Sequence, residues 1–256
     1  MRKLLNPKNA LYLVCHALVM VLGFLACQAA SNSVWFAIGG SLIAAGVAGW
    51  VIFAYVLISE ETSERLRVIS KLGIETAFEA RSTRIMQEYV KRLGAARERI
   101  DIIGFGLSAF REDFLEDFPQ WIRRAEVRIL LIDPEFPSVG LSYAAQRDRE
   151  EKNPVNGIAA DVRKFVEEVS GLMGSNETHS LQVRLYRCLP TLNVLRIDDE
   201  LFWGPYLVGV QSRNSPTFLV NRGGILFDRF SRQFETIWSD PDLSRAVPSA
   251  WLVKTR

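Results

Sequence analysis

Between Ala10 and Ser59 the chain contains no Asp, Glu, Lys or Arg. A helix crossing a hydrocarbon core of about 30 Å needs about 20 apolar residues, so this run is too long for one span and suits two. Residues 10–30 and 34–58 supply them, and the polar Ser31-Asn32-Ser33 is the turn between them. Histidine and cysteine are also scarce, with 2 and 3 residues. Cys15 and Cys27 fall in the first span and Cys188 in a predicted strand, which excludes a disulfide framework. So few imidazoles and no paired thiols exclude a zinc cluster, and the acidic runs lack calcium-loop spacing. No metal and no cofactor are expected. Strong basicity is missing as well: the formal charge is +2, and Arg2, Lys3 and Lys8 precede the first span, leaving about −1 elsewhere. That balance argues against a nucleic-acid partner.

The placement of cations predicts orientation. Arg2, Lys3 and Lys8 precede the spans, Arg65, Arg67 and Lys71 follow them, and the connecting turn has no charge. Lys and Arg beside spans stay on the cytoplasmic side, so the expectation is a multi-pass inner-membrane protein with both termini cytoplasmic. Tyr12, Tyr55 and Trp35 fall near the interfaces, where amphipathic rings prefer to sit. A cleaved signal sequence is the competing reading of Arg2-Lys3 plus an apolar run. It leaves the second apolar stretch unexplained, and Phe24-Leu25-Ala26-Cys27 is a poor lipoprotein box. His16, the ionisable group at depth besides the thiols, is read as a neutral His near a helix end without a functional role. Gly40, Ala44 and Ala48 recur at four-residue spacing, which lets helices approach closely in lipid. With the cytoplasmic domain, they are the expected route to a homo-oligomer.

The remainder divides into a helical connector, 59–98, and a domain, 99–256. In the connector, Ile85, Tyr89, Leu93 and Ala96 share one helical face, with interruptions expected at Gly73 and Gly94. Strands are predicted at 100–105, 127–132, 181–188, 192–197, 200–207 and 217–221, and helices at 111–122, 158–173 and 225–239. The polar stretch 141–154 shows no periodicity and is expected to be loop or frayed helix. The fold class is α/β: a mixed-sheet sandwich behind a two-helix membrane hairpin.

One stretch points to chemistry. Thr191-x-Asn193, four residues, then Asp198 and later Gly204-Pro205 lies on strand, turn and strand. It resembles the signature of the phospholipase D superfamily, His-x-Lys, four residues, Asp, then Gly-Ser. The resemblance implies that family's fold over about 95–240. It also implies that Asp198 and Gly204 hold the motif positions, while Thr191 replaces the His and Asn193 the Lys. A Thr hydroxyl without an activating base cannot stand in for the attacking imidazole, and Asn lacks the charge that neutralises a developing phosphoryl oxyanion. His179 is followed by Ser-Leu and does not restore the motif.

The expectation is therefore a non-catalytic, ligand-sensing or effector domain. Its candidate ligand contacts are Thr191, Asn193, Asp198, Asn214 and Arg187, and its ligand is an anion or nucleotide. Of the surrounding Arg184, Arg187, Arg196, Arg213 and Arg222, most are read as surface residues on alternating strand faces and a minority as lining the cleft. Two short spans before a small cytosolic domain look like membrane effectors of bacterial anti-phage signalling. The alternative is a membrane-bound phosphodiesterase, nuclease or lipase with an atypical site. A further motif, Gly104-Phe105-Gly106-Leu107-Ser108-Ala109, fits the dinucleotide fingerprint, with Asp133 as the ribose acid. The acidic Glu112, Asp113, Glu116 and Asp117 at the following helix start oppose a pyrophosphate there.

Overall fold

The computed structural model describes residues 7–29, 32–80, 83–173 and 181–252. The chain forms two units, Met1–Val68 and Ile69–Arg256.

In the first unit, α1 (Pro7–Gln28) precedes α2 (Ser33–Leu72). Residues Ala10–Gln28 and Ser33–Val56 have mean hydropathies of 2.3 and 2.0, long and apolar enough to cross a membrane. Within this unit the two helices meet along glycines. A Cβ on Gly49 would lie 1.8 Å from His16 Cδ2, and one on Gly39 would lie 2.6 Å from the Gly23 carbonyl. The His16 ring also lies 4.2 Å from that of Tyr12, so it fills a glycine notch. Trp50 Nε1 donates to the Leu13 carbonyl at 3.3 Å. The Gly40, Ala44, Ala48 row lies elsewhere: all three are exposed, and a Cβ on Gly40 would meet nothing within 4 Å.

The second unit holds one eight-stranded mixed sheet: β1 (Ile74–Phe78), β2 (Arg99–Gly104), β3 (Glu126–Ile132), β4 (Leu181–Tyr186), β5 (Leu192–Ile197), β6 (Glu200–Pro205), β7 (Thr217–Asn221) and β8 (Ser244–Ala246). The spatial order is β1-β7-β6-β5-β2-β3-β4-β8. Strands β2, β3 and β4 are parallel, and every other pairing is antiparallel. The helices are α3 (Thr83–Ala95), α4 (Ser108–Phe114), α5 (Phe118–Trp121), α6 (Tyr143–Glu151), α7 (Gly157–Val169) and α8 (Ile225–Ser239). The central strands β2 and β3 are buried almost throughout, as expected for strands covered on both faces.

Several elements differ from expectation. The 59–98 connector is not wholly helical: α2 ends at Leu72, Gly73 turns with φ 79°, and β1 joins the sheet edge beside β7. A five-residue strand among charges offers no distinctive period. Gly94 is the penultimate residue of α3, which ends at Ala95, within one residue of the expected interruption. The expected 111–122 helix is two short helices, α4 and α5, joined by a 3-10 turn at Leu115–Asp117. The stretch 141–154 contains a helix after all. Helix α6 buries Ala144, Arg147 and Asp148, so its inward face is polar and leaves no apolar stripe to read.

A row of charge runs under α8. Asp101 pairs in register with Arg196 on one side and Arg128 on the other. Arg128 Nε donates to Asp101 Oδ1 at 2.7 Å and its Nη2 to Glu235 Oε1 at 2.6 Å. The Arg128 guanidinium lies 4.8 Å from the Phe234 ring centre. Burial pushes the Asp101 carboxyl above its ordinary range despite Arg128, whereas hydrogen bonding to Arg128 holds Glu235 below its own.

Two outcomes follow. In detergent, Gly49→Val should lower the unfolding midpoint by overpacking, at about 1–3 kcal/mol; thermal melts against the unaltered protein check it. The lowered Glu235 pKa means that its stabilisation is complete above its ordinary 4.5 and is lost as pH falls through the lowered value. Glu235→Gln should therefore flatten the acid limb of the stability–pH curve measured by denaturant unfolding.

Candidate functional site

Asp198 occupies the two-residue turn between β5 and β6 with φ 49°, a left-handed conformation that Asp tolerates better than most residues. Its carboxylate accepts hydrogen bonds from three successive backbone amides: Arg97 at 2.9 Å, Glu98 at 2.9 Å and Arg99 at 2.8 Å. Its own amide donates to the Arg99 carbonyl at 2.9 Å. The side chain is thereby committed to fixing the start of β2 against β5.

Asn193 lies at the other end of β5, about 16 Å away at strand rise. It faces Gly204 across the β5–β6 ladder. A Cβ on Gly204 would come within 2.8 Å of the Pro216 carbonyl and 3.2 Å of Asn193 Nδ2. Gly204 therefore makes room for the Asn193 amide.

That amide borders a cavity of about 690 Å³. The cavity lies at the carboxyl end of β2, bounded by the β2–α4 loop, the α6–α7 loop, β5 and the stretch 211–213. Of the five candidate contacts, only Asn193 lines it. Thr191 and Asn214 are exposed outside the lining, and Asp198 is held at the far turn. Arg187 Nε donates to Asp133 Oδ2 at 2.9 Å. The structure does not bring the five together.

The arginines are likewise dispersed. Arg184 bonds Ser244, Arg196 the Asp198 carbonyl, and Arg222 pairs with Asp199. Only Arg213 borders the cavity, where its Nε donates to Gln211 Oε1 at 2.9 Å. Two carboxylates share the lining, Glu151 and Asp161. Among the described residues Arg184, Arg187, Arg196 and Arg222 answer acceptors elsewhere, and Arg213 is the member of this group that reaches the cavity. His179 lies outside the described residues.

Asp161 bonds the Ser108 hydroxyl, and burial raises its pKa despite Arg111 and Lys164 nearby. Glu151 pairs with Arg147 at 2.5 Å and accepts from the Ser212 amide at 3.2 Å. Arg147 also donates to the Leu207 and Val210 carbonyls at 2.9 Å each, tying α6 to the loop after β6. Sequence reading missed both acids. Asp161 looks like part of the solvated face of α7, and Glu151 sits in the stretch without periodicity.

The glycine motif has a packing explanation. A Cβ on Gly104 would lie 2.3 Å from Leu107 Cδ2, and one on Gly106 would lie 2.5 Å from Asp161 Cβ. Both glycines are thus accounted for by close packing, and the Asp161 carboxylate beside Gly106 disfavours a pyrophosphate at this loop. Asp133 is fully buried between Arg187 and Arg245, with Arg245 Nε at 2.6 Å, and is not placed to bind a ribose.

Asp198→Ala should remove one acceptor for three amides and lower stability by about 2–3 kcal/mol, read from denaturant unfolding, with Asp198→Asn losing less.

No family model and no curated protein matches the chain. Among solved structures it is similar to TrmBL2, an archaeal chromatin protein, at 15% identity and TM-score 0.40, covering 81% of this chain and 70% of that one. It is similar to phosphatidylserine synthase from Haemophilus influenzae Rd KW20 at 12% identity and TM-score 0.41, covering 67% of this chain and 38% of that one. It is also similar to NucT from Helicobacter pylori at 9% identity and TM-score 0.36, covering 64% of this chain and 91% of that one.

Proposed function

We propose that the chain is a membrane-anchored ligand-sensing protein whose phospholipase-D-like domain recognises a small molecule without cleaving phosphodiesters. The observation that carries this reading is the cavity beside Asn193. It is of ligand size, in the range of about 300–1,000 Å³ typical of small-molecule sites, and its described lining contains neither His nor Lys. A phosphohistidine route needs an imidazole to attack phosphorus and a cation on the phosphoryl oxygens. Thr191 and Asn193 supply neither. The acid at the motif position, Asp198, spends its carboxylate on backbone amides.

Anchoring rests on the two apolar helices. Cytoplasmic placement of the domain, at the inner membrane, rests on Arg2, Lys3 and Lys8 before them and Arg65, Arg67 and Lys71 after them. A ligand with differential affinity for two arrangements of the protein would shift their populations. Helix α2 continues from the second apolar stretch to Leu72, immediately before β1, and is the covalent route for such a signal. The exposed Gly40, Ala44, Ala48 row is the surface through which copies would associate in the bilayer.

The test uses the full-length chain in detergent with bis-p-nitrophenyl phosphate and with phospholipid vesicles. The expected result is no turnover above that of a heat-denatured control. Hydrolysis abolished by Thr191→Ala, or by changing His179 to Ala, would overturn the reading in favour of an atypical phosphodiesterase.

A further inference from the structure

The geometry points to an uncharged, nucleoside-sized heteroaromatic ligand for the cavity at the carboxyl end of β2, in place of the phosphate ester that the motif suggests. This inference rests on the sensing reading above and names the chemistry the site would recognise.

Place is the first argument. β2 is where the sheet changes character: the chain leaves it toward parallel β3, and antiparallel β5 lies on its other side. In open α/β sheets, crevices outside the carboxyl ends of strands at such a switch are the usual ligand sites. Two non-glycine residues of the cavity wall hold left-handed backbone, Leu107 at φ 51° and Asn156 at φ 62°. For Leu this conformation is uncommon and costly, and such residues cluster at ligand sites.

Charge is the second argument. Glu151 is neutralised by Arg147 at 2.5 Å, which leaves Asp161 and the exposed Arg213 as the remaining charges of the described lining, so no cluster of cations awaits a phosphate there. Arg213 is exposed and already donates to Gln211. Burial raises the pKa of Asp161 despite Arg111 and Lys164 nearby, and in its ionised form this carboxylate would repel a phosphate brought beside it.

Lining chemistry is the third argument. Asn156 and Asn193 bring carboxamides to the lining, whose paired donor and acceptor match the hydrogen-bonding edges of nucleobases, whereas the Asn153 amide is engaged, donating to Glu151 Oε2 at 3.2 Å. No hydrogen bond joins the Asn193 amide to other described residues, so both its donor and its acceptor remain for a ligand. Phe105, Phe110 and Tyr206 add ring surface, with Phe105 and Tyr206 centroids 4.4 Å apart. Aromatic faces accept a flat base by stacking.

The experiment titrates the full-length chain in detergent micelles with adenosine, guanosine, cytidine and uridine and with their 5′-monophosphates, by calorimetry and thermal shift. At least one nucleoside should bind saturably, with its monophosphate at least tenfold weaker. Asn193→Leu should weaken the nucleoside at least tenfold. Asp161→Asn, which retains an acceptor for Ser108, should bring nucleoside and monophosphate within threefold of each other. Should that variant fail to fold, raising salt on the unaltered protein must narrow the same gap, since screening weakens the repulsion. A monophosphate binding as tightly as its nucleoside, or no saturable binding by any of the four nucleosides, overturns the proposal. Both results are distinct from phosphodiester turnover, which would overturn the sensing reading instead.

Discussion

The junction between β2 and β5 is the constraint on which the second unit depends. It joins a parallel half, β2-β3-β4, to an antiparallel half, β5-β6-β7-β1. At one end Asp198 gathers three amides leading into β2. In the middle Asp101 answers Arg128 at 2.7 Å and Arg196 at 3.8 Å. At the other end the same two strands border the cavity through Ile102, Ile103 and Asn193. Register between them is therefore set at two places by charge, and the third is left open. A one-residue slip would carry every side chain of β5 to the opposite face and take Asn193 out of the cavity.

The charges of this unit are used mainly for structure. A buried guanidinium with one partner removed is costly, because several kcal/mol of desolvation go uncompensated. Here each deeply buried arginine meets a carboxylate: Arg128 with Asp101, Arg147 with Glu151, Arg111 with Glu168. Paired arginines have little left to offer an anion. The same reasoning explains why α6 is helical without an apolar stripe, since its buried face is satisfied by ion pairs and by the carbonyls of Leu207 and Val210. It also ties the loop beside the cavity to a rigid element, which pre-organises one wall.

Much of the second unit could be read from residue order. The strand predictions at 192–197 and 217–221 match β5 and β7, and the helix predicted at 225–239 matches α8. In each case a clear hydrophobic period meets a clear stop, such as Asp198-Asp199 or Gly223-Gly224. Elements that failed this test, β1, α6 and the three-residue β8, are short or bury polar groups. The five candidate contacts fared differently: Asn193 borders the cavity, while Arg187 is bound to Asp133 and Asp198 to backbone. Motif spacing along a strand shows that residues share an element, and says nothing of which end of it faces empty space.

Composition and periodicity alone determined the apolar helices and the α/β class, and residue identity placed Thr at 191 and Asn at 193. These are local properties, carried by hydropathy, by alternation and by residue identity. Only the tertiary structure decided which charges neutralise one another and where a cavity is left. Arg213 and Arg187 are indistinguishable as letters, yet one borders the cavity and the other seals Asp133. Asp161 and Glu151 enter the lining because Gly106 admits one helix closely and Arg147 draws the other side chain inward. Ion pairing depends on distances between residues far apart in the chain, and no pattern along the backbone encodes those distances directly.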